Sequence, residues 1–175
     1  MKKLMLVILG LLILSDFTFS QSTSTSNAPV GISIIRALSI TNASGSLMFP
    51  EIIMNGTVQT KEITNANGVR FLVTGNPNRN ITVTYNETVP LNNNAYVTAN
   101  GGTQGTMTFI TRTADQTGKS TTYTTPAALL TGATLPLVND AGTGHLNIWV
   151  AGSISCSTTQ PNGDYVGTFN ITVTY

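Results

Sequence analysis

Short runs in which apolar and polar residues alternate recur along almost the whole chain. The clearest, G-D-Y-V-G-T-F-N-I-T-V-T-Y at 163–175, places Tyr, Gly, Phe, Ile and Val at alternate positions. Because successive side chains of a strand point to opposite faces, this run predicts one half-buried β-strand. The alternation continues to Tyr175, so we expect this end of the chain to be a structural element.

The same alternation predicts a series of strands, separated by Asn-Gly, Gly-Gly and similar pairs that supply the positive φ angles of tight turns. The predicted strands are 28–40, 47–53, 57–63, 69–74, 80–85, 106–111, 133–138, 146–156 and 165–175. The one candidate helix is 126–130. Charged residues make up only 9% of the chain, and its abundant Thr, Asn, Ser and Gly favour strands and turns. We therefore predict an all-β fold, an antiparallel immunoglobulin-like β-sandwich.

The first twenty residues differ from the rest of the chain. Lys2 and Lys3 precede an apolar run at 4–14, and Thr18 and Ser20 lie before a suitable cleavage position. The run is shorter than the roughly twenty residues that span a bilayer. We predict a signal peptide at 1–20, a polar leader at 21–27 and a single domain at 28–175. The mature protein would be secreted, with no membrane span left after cleavage.

Charge and cysteine content argue against several classes of protein. Of eight basic and seven acidic residues, two and one respectively lie within the predicted signal peptide, which leaves a formally neutral domain. Such a domain has no basic surface for nucleic acid. Cys156 is the only cysteine, so no intrachain disulfide forms. It shares the parity of the apolar residues in 146–156, which predicts a buried, inert thiol.

The sequence contains no recognisable pattern of catalytic, cofactor-binding or metal-binding residues. His145 is the only histidine, and its parity along the predicted strand is opposite to that of Cys156. The acidic residues are scattered singly, and there is no phosphate loop, dinucleotide motif or zinc-ligand cluster. We therefore expect a protein that is not an enzyme and that uses no cofactor or metal.

The run at 28–40 is about twice as long as a typical strand and is interrupted by Arg36. One interpretation is a long first strand that switches between sheets. In the other, 28–34 leaves its own subunit and completes the sheet of the next, as in strand addition between pilins. That interpretation predicts subunit-contact residues on the donated segment and the closing strand: Val30, Ile32, Ile34, Phe169, Ile171, Val173 and Tyr175.

Several stretches carry a resemblance to a known group of proteins. They are I-S-I-I-R-A-L-S-I-T-N-A-S-G-S-L-M-F-P-E-I at 32–52, V-R-F-L-V-T-G at 69–75, R-N-I-T-V-T-Y at 79–85, L-N-I-W-V-A-G-S-I-S at 146–155 and the closing run. The chain resembles, over 30–175, a family of secreted bacterial domains of unknown function that look like the subunits of pili and fimbriae. The most specific part is G-x-Y-x-G-x-F-x-I-x-V-x-Y. The resemblance implies a pilin-like sandwich, exported to the cell surface and polymerising by strand exchange.

Two functions of different classes follow from these observations. The first is a structural subunit of a surface filament or fimbria, with other copies of itself or other surface subunits as partners and a periplasmic chaperone before assembly. The closing strand carries no charge after Asp164, which favours pairing at its edge. The alternative is a monomeric surface adhesin, in which long polar loops at 86–105 and 113–125 bind a glycan or another ligand.

Overall fold

The computed structural model describes residue 29, residues 31–124 and residues 126–175. The predicted signal peptide, the polar leader, Ala28 and Val30 lie outside the described residues. Residues 31–34 have no regular secondary structure and belong to a unit separate from Ile35–Tyr175. The second unit, Ile35–Tyr175, contains all the elements below.

The described part of this unit is built from strands, with one short helix and a 3₁₀ turn at Asn65–Asn67. The strands are β1 Ser39–Asn42, β2 Gln59–Ile63, β3 Val69–Gly75, β4 Asn80–Tyr85, β5 Thr88–Asn92, β6 Thr106–Thr117, β7 Ala127–Ala128, β8 Ala133–Pro136, β9 Val138–Asp140, β10 Thr143–Cys156 and β11 Ile171–Thr174. The helix, α1, is Asn94–Asn100. No helix among the described residues has the length and hydropathy needed to cross a bilayer.

The strands form two antiparallel sheets that pack face to face, so the predicted all-β sandwich is confirmed. The larger sheet has the order β1-β3-β10-β6-β5. The long strand β10 pairs with four other strands of this sheet. Strands β3 and β2 pair with successive halves of one of its edges, and β6 and β9 also pair with it. Strand β7 adds a short pairing to β6. The smaller sheet has the order β11-β4-β8, which leaves β11 at its edge.

The prediction of one strand at 133–138 is wrong, because the chain changes sheets within that run. Strand β8 pairs with β4 in the smaller sheet, and β9 pairs with β10 in the larger one. Leu137, between them, is fully buried. An apolar residue that crosses from one layer to the other keeps the alternation intact, so the pattern alone hides the break.

The predicted polar loop at 86–105 is also wrong, since it contains β5 and α1. Strand β5 includes Pro90, which lacks the N–H that a central strand needs, but β5 ends the larger sheet and an edge strand tolerates proline. Helix α1 has no buried residue and consists of Asn, Thr, Ala, Tyr and Val without an amphipathic period. The second predicted loop, 113–125, begins inside β6, and the helix predicted at 126–130 is replaced by β7.

Two long predicted strands pair over only part of their length. The run 28–40 contributes only β1 within the described residues, and residues 31–38 have no strand structure. The run 165–175 forms β11 at its end, with a single isolated bridge earlier, between Val166 and Asn92. Residues 47–53 form no strand at all. Residues 47–53 and the first part of 165–175 line the same open groove.

A closed hydrophobic core fills one end of the sandwich. The buried members of this cluster are Val73, Ile81, Val83, Leu129, Leu137, Leu146, Ile148 and Val150. Six of these eight, such as Ile81 and Ile148, have no exposed surface. Fully burying an aliphatic side chain contributes about 1.5–3 kcal/mol, so this cluster stabilises the fold strongly.

Asp115 is an unusual member of the layer around this core. It lies opposite Ile148 in the ladder, so its side chain is on the core face, and it is only 7% exposed. Burial raises the pKa of the Asp115 carboxyl above its usual range, although a backbone hydrogen bond opposes that shift. The folded chain therefore holds a proton at this carboxyl at pH values where the unfolded chain has released it.

We expect Asp115→Asn to raise the free energy of unfolding at pH 8 and to have little effect near pH 4. A raised carboxyl pKa stabilises the fold fully below the unfolded value of about 3.9, and that stabilisation is lost as pH rises through the folded pKa. Urea unfolding of both proteins at the two pH values measures the difference. The exposed Glu87→Gln serves as the control. Equal effects of Asp115→Asn at both pH values would contradict the prediction.

Candidate functional site

The other end of the sandwich is an open apolar groove. Its buried floor consists of Val89, Phe109 and Ile154. Around this floor lie partly buried side chains, Leu47, Phe49, Ile52, Leu91, Met107 and Phe169. The groove encloses about 1210 Å³, more than the roughly 300–1,000 Å³ of a small-molecule pocket. Among the residues that the structure describes, Glu51 and Asp164 are the only charged ones that line it.

One wall of the groove is the extended segment 46–54. Leu47, Phe49, Ile52 and Met54 face inward, and Phe49 meets Phe109 edge to face with ring centroids 5.9 Å apart. Within the described residues, however, the backbone of 46–54 makes no hydrogen bond and joins no ladder. This wall is held by side chains alone, so its N–H and C=O groups remain available to a partner.

The opposite wall is the segment 163–170, which leads directly into β11. Val166 exchanges two backbone hydrogen bonds with Asn92, at 2.9 and 3.0 Å, and Asn170 accepts one from Asn86. In the described residues, the rest of this segment has no backbone partner. Strand β11 pairs with β4 on one side only. One continuous unpaired edge therefore runs from this wall along β11.

Side-chain hydrogen bonds hold the chain in place at the mouth of this wall. Asn93 is fully buried; its Nδ2 donates to the carbonyls of Thr103 and Asn162, and its Oδ1 accepts from the Gly105 N–H at 2.7 Å. The Tyr165 hydroxyl also donates to the Pro161 carbonyl at 2.7 Å. These contacts fix the wall in the absence of a ladder, which leaves the groove open and ordered.

The predicted subunit-contact residues of the closing strand lie in the segment 163–170, in β11 or directly after it, along the unpaired edge. Phe169, Ile171 and Val173 are half-buried and pack against the closed core, and Phe169 also lines the groove. Of the predicted donor residues, Ile32 and Ile34 are 88% and 85% exposed, and Val30 lies outside the described residues. The groove residues around Phe49 and Met107 were not among the predicted contacts, although the alternation at 47–53 marked one wall.

Tyr175 joins the end of the smaller sheet to the beginning of the unit. Its hydroxyl donates to the Arg36 carbonyl at 2.9 Å and accepts from the Asn76 N–H at 2.6 Å. The Arg79 guanidinium lies 5.8 Å from the centroid of its ring. The backbone N–H of Arg36 donates to the Asn76 side chain at 3.4 Å. Both backbone groups of Arg36 are thus hydrogen-bonded within this unit.

Other reactive or aromatic groups lie away from the groove or are buried. The ring of His145 has its Nε2 3.9 Å from an Asp140 carboxylate oxygen that also pairs with Lys119. Cys156 is 4% exposed, and its sulfur lies 3.3 Å from that of Met54. Trp149 is 4% exposed against Tyr123. Within the described ranges, no three His, Cys, Asp or Glu residues are close enough to hold a metal.

Comparison with known proteins gives one match. The model of a family described as a domain of unknown function, DUF4402, matches residues 36–175. No curated protein and no solved structure matches the chain. Because the match covers both sheets and the groove, the chain belongs to the DUF4402 family of domains of unknown function.

Proposed function

We propose that this protein is a secreted structural subunit of a bacterial surface filament or fimbria, which assembles when one subunit donates a β-strand to the next. The donated strand is the segment 28–34, and the acceptor is the groove together with the edge of β11. The observation that carries the proposal is an apolar groove whose two walls are extended but almost unpaired.

The geometry of the groove suits an extended peptide better than a compact ligand. Both walls present free backbone N–H and C=O groups, which are the groups that a strand uses when it adds to a sheet. The floor of Val89, Phe109 and Ile154 offers an apolar surface for alternate side chains. A strand placed here would satisfy the backbone of both walls and cover the open end of the core.

The segment 28–34 has the composition that this groove requires. Residues 21–35 include no charged residue, so insertion buries no unpaired charge. Ile32 and Ile34 share one parity and are almost fully exposed. Burial of two isoleucine side chains contributes about 1.5–3 kcal/mol each. A neighbouring subunit therefore gains from accepting this segment.

Electron microscopy of the purified mature protein tests the proposal, with deletion of residues 28–34 as the comparison. We expect filaments or oligomers from the intact protein and single domains from the deleted one. The deletion leaves 36–175 complete, so circular dichroism should still report a β-sheet fold. Single particles from the intact protein, monomeric at high concentration, would contradict the proposal and favour the adhesin.

A further inference from the structure

The pentapeptide I-T-V-T-Y occurs twice in the chain, at 81–85 and at 171–175. The two copies lie side by side in the smaller sheet, as β4 and β11, and they run antiparallel. Their register is symmetric: Val83 lies opposite Val173, each Thr lies opposite a Thr, and Ile171 lies opposite Tyr85. The fold therefore already contains this sequence paired with itself.

One edge of the second copy has no strand hydrogen-bonded to it in the described part of the chain, although β1 of the larger sheet lies near β11. In an antiparallel ladder, the backbone N–H and C=O groups of successive residues point alternately to the strand on one side and to the strand on the other. Because the Asn86 N–H donates to the Asn170 carbonyl, the even-numbered residues of β11 are the ones that hydrogen-bond to β4. The backbone groups of residues 171, 173 and 175 then point to the free edge. These are the groups that a further strand would bind.

We propose that β11 of one subunit pairs with β11 of a second copy, antiparallel and about a two-fold axis at Val173. This pairing joins the two smaller sheets into one continuous sheet. Residue 173 then lies opposite 173, 171 opposite 175 and 172 opposite 174 of the partner. Val meets Val, Thr meets Thr and Ile meets Tyr, as they do between β4 and β11.

The chemistry of both faces of β11 suits this partner. Thr172 and Thr174 are exposed on the outer face, while Ile171 and Val173 face the core. In the proposed register, odd-numbered residues lie opposite odd-numbered ones, so the apolar side chains of both copies stay on the core face. No side chain in 165–175 is charged, so this edge lacks the charged side chains with which soluble proteins usually block such pairing. An isologous contact is self-complementary and closes at two subunits.

This pairing goes beyond the proposed function, because it needs no donated segment. It uses the same edge, however, and one edge accepts one strand at a time. The symmetric pair therefore competes with strand donation, and subunits held in it are unable to accept a donor along β11. The interface is short, so the pair should be weak and should form only at high protein concentration.

Cysteine cross-linking tests both the pairing and its register. In the symmetric register, 172 and 174 of the two copies form a non-hydrogen-bonded pair with Cα atoms about 4.5 Å apart, within the range of a disulfide. Equivalent positions are diagonal neighbours at roughly 7–8 Å, which is too far. We expect a mixture of Thr172→Cys and Thr174→Cys proteins to give a disulfide-linked dimer. Either variant alone should give no more than the unmodified protein.

The cross-linking is done in full-length protein that also carries Ile32→Asp and Ile34→Asp, so that a donated segment does not occupy the edge. Both cysteine positions are exposed, and Cys156 is common to every sample. Failure of the mixture to cross-link, or equal cross-linking by a single variant, would overturn the symmetric register. Neither result would bear on whether filaments form in the unmodified protein.

Sedimentation of the same Asp-substituted protein without added cysteines provides a second measurement. We expect a monomer–dimer equilibrium that is lost in Thr172→Lys/Thr174→Lys, because this change places lysines directly opposite each other. Thr84→Lys, on the outer face of the central strand β4, is the matched control and should still dimerise. A monomer at every concentration before these changes would refute the pairing.

Discussion

Aspartate at both Ile32 and Ile34 is expected to abolish assembly of the intact protein. Strand donation would bury these two side chains in a groove whose only charged lining residues, Glu51 and Asp164, are also acidic. An isolated carboxylate in such a place costs several kcal/mol, and its short side chain is unable to reach solvent as lysine does. Because 1.4 kcal/mol is tenfold in an equilibrium constant, even about 2.8 kcal/mol lowers the association constant about a hundredfold.

Ser33→Asp is the matched control for this prediction. It adds the same charge one residue away, on the opposite parity, where a donated strand would face solvent. We expect Ser33→Asp to assemble as the unmodified protein does, while the double substitution forms no filaments in electron microscopy and sediments as nothing larger than the weak symmetric dimer. Equal loss of assembly in both variants would point to net charge as the cause. Equal retention would show that 28–34 is not the donor.

The same alternation that makes the donor recognisable also shows how far the sequence predicts the fold. Strand β4 has the predicted bounds, and β3 and β10 differ from prediction by a few residues at one end. These strands lie in the middle of a sheet, where each alternating residue has both a core to face and a ladder to join. In these strands the apolar side chains are buried and the backbone is also paired on both sides, so the apolar–polar alternation predicts both correctly.

At the groove, a segment can have partly buried side chains without having a hydrogen-bonded backbone. Leu47 and Phe49 face the floor of the groove as the alternation predicts, but beyond Pro50 the inward residue is Ile52 while Ile53 is exposed, and the segment has no ladder within the described residues. Alternation records which face a side chain takes, and it carries no information on whether the backbone has a neighbour. The sequence therefore predicts a strand here, and the structure shows a strand-like wall. That mismatch is the feature from which the proposed acceptor site was inferred.

The groove floor could not be predicted from the sequence for a different reason. Val89, Phe109 and Ile154 come from three separate strands, and only the order β10-β6-β5 brings them together. Strand β5 was hidden by Pro90, which reads as a break unless its position at the sheet edge is known. Without β5 in place, nothing in the pattern joins these residues into one surface.

The wall of the groove also depends on a residue that no sequence pattern distinguished. Asn93 is one of three consecutive asparagines, and its neighbours Asn92 and Asn94 are not fully buried. Its side-chain amide connects the beginning of α1 with the loop at 103–105 and with Asn162 at the groove mouth. The Asn93 carbonyl also accepts the first hydrogen bond of the helix, from Val97. Only the fold shows which of the three carries this role.

Asn93→Ala is expected to lower the free energy of unfolding by about 2–3 kcal/mol, since the buried Asn93 amide makes three hydrogen bonds and each contributes about 0.5–1.5 kcal/mol. The substitution leaves the carbonyls of Thr103 and Asn162 and the N–H of Gly105 without their partner. Urea denaturation measures the loss.

Asn100→Ala is the control, because Asn100 is exposed and its side chain bonds only to the Tyr96 carbonyl of its own helix. It should change the free energy of unfolding by about 0.5 kcal/mol or less. Asn93→Ala should also reduce assembly at temperatures where it remains folded, since the released wall no longer holds the groove open for a strand. A loss of stability no greater than that of Asn100→Ala would show that the Asn93 amide does not hold the wall. A large loss of stability with normal assembly would instead separate this wall from the acceptor site.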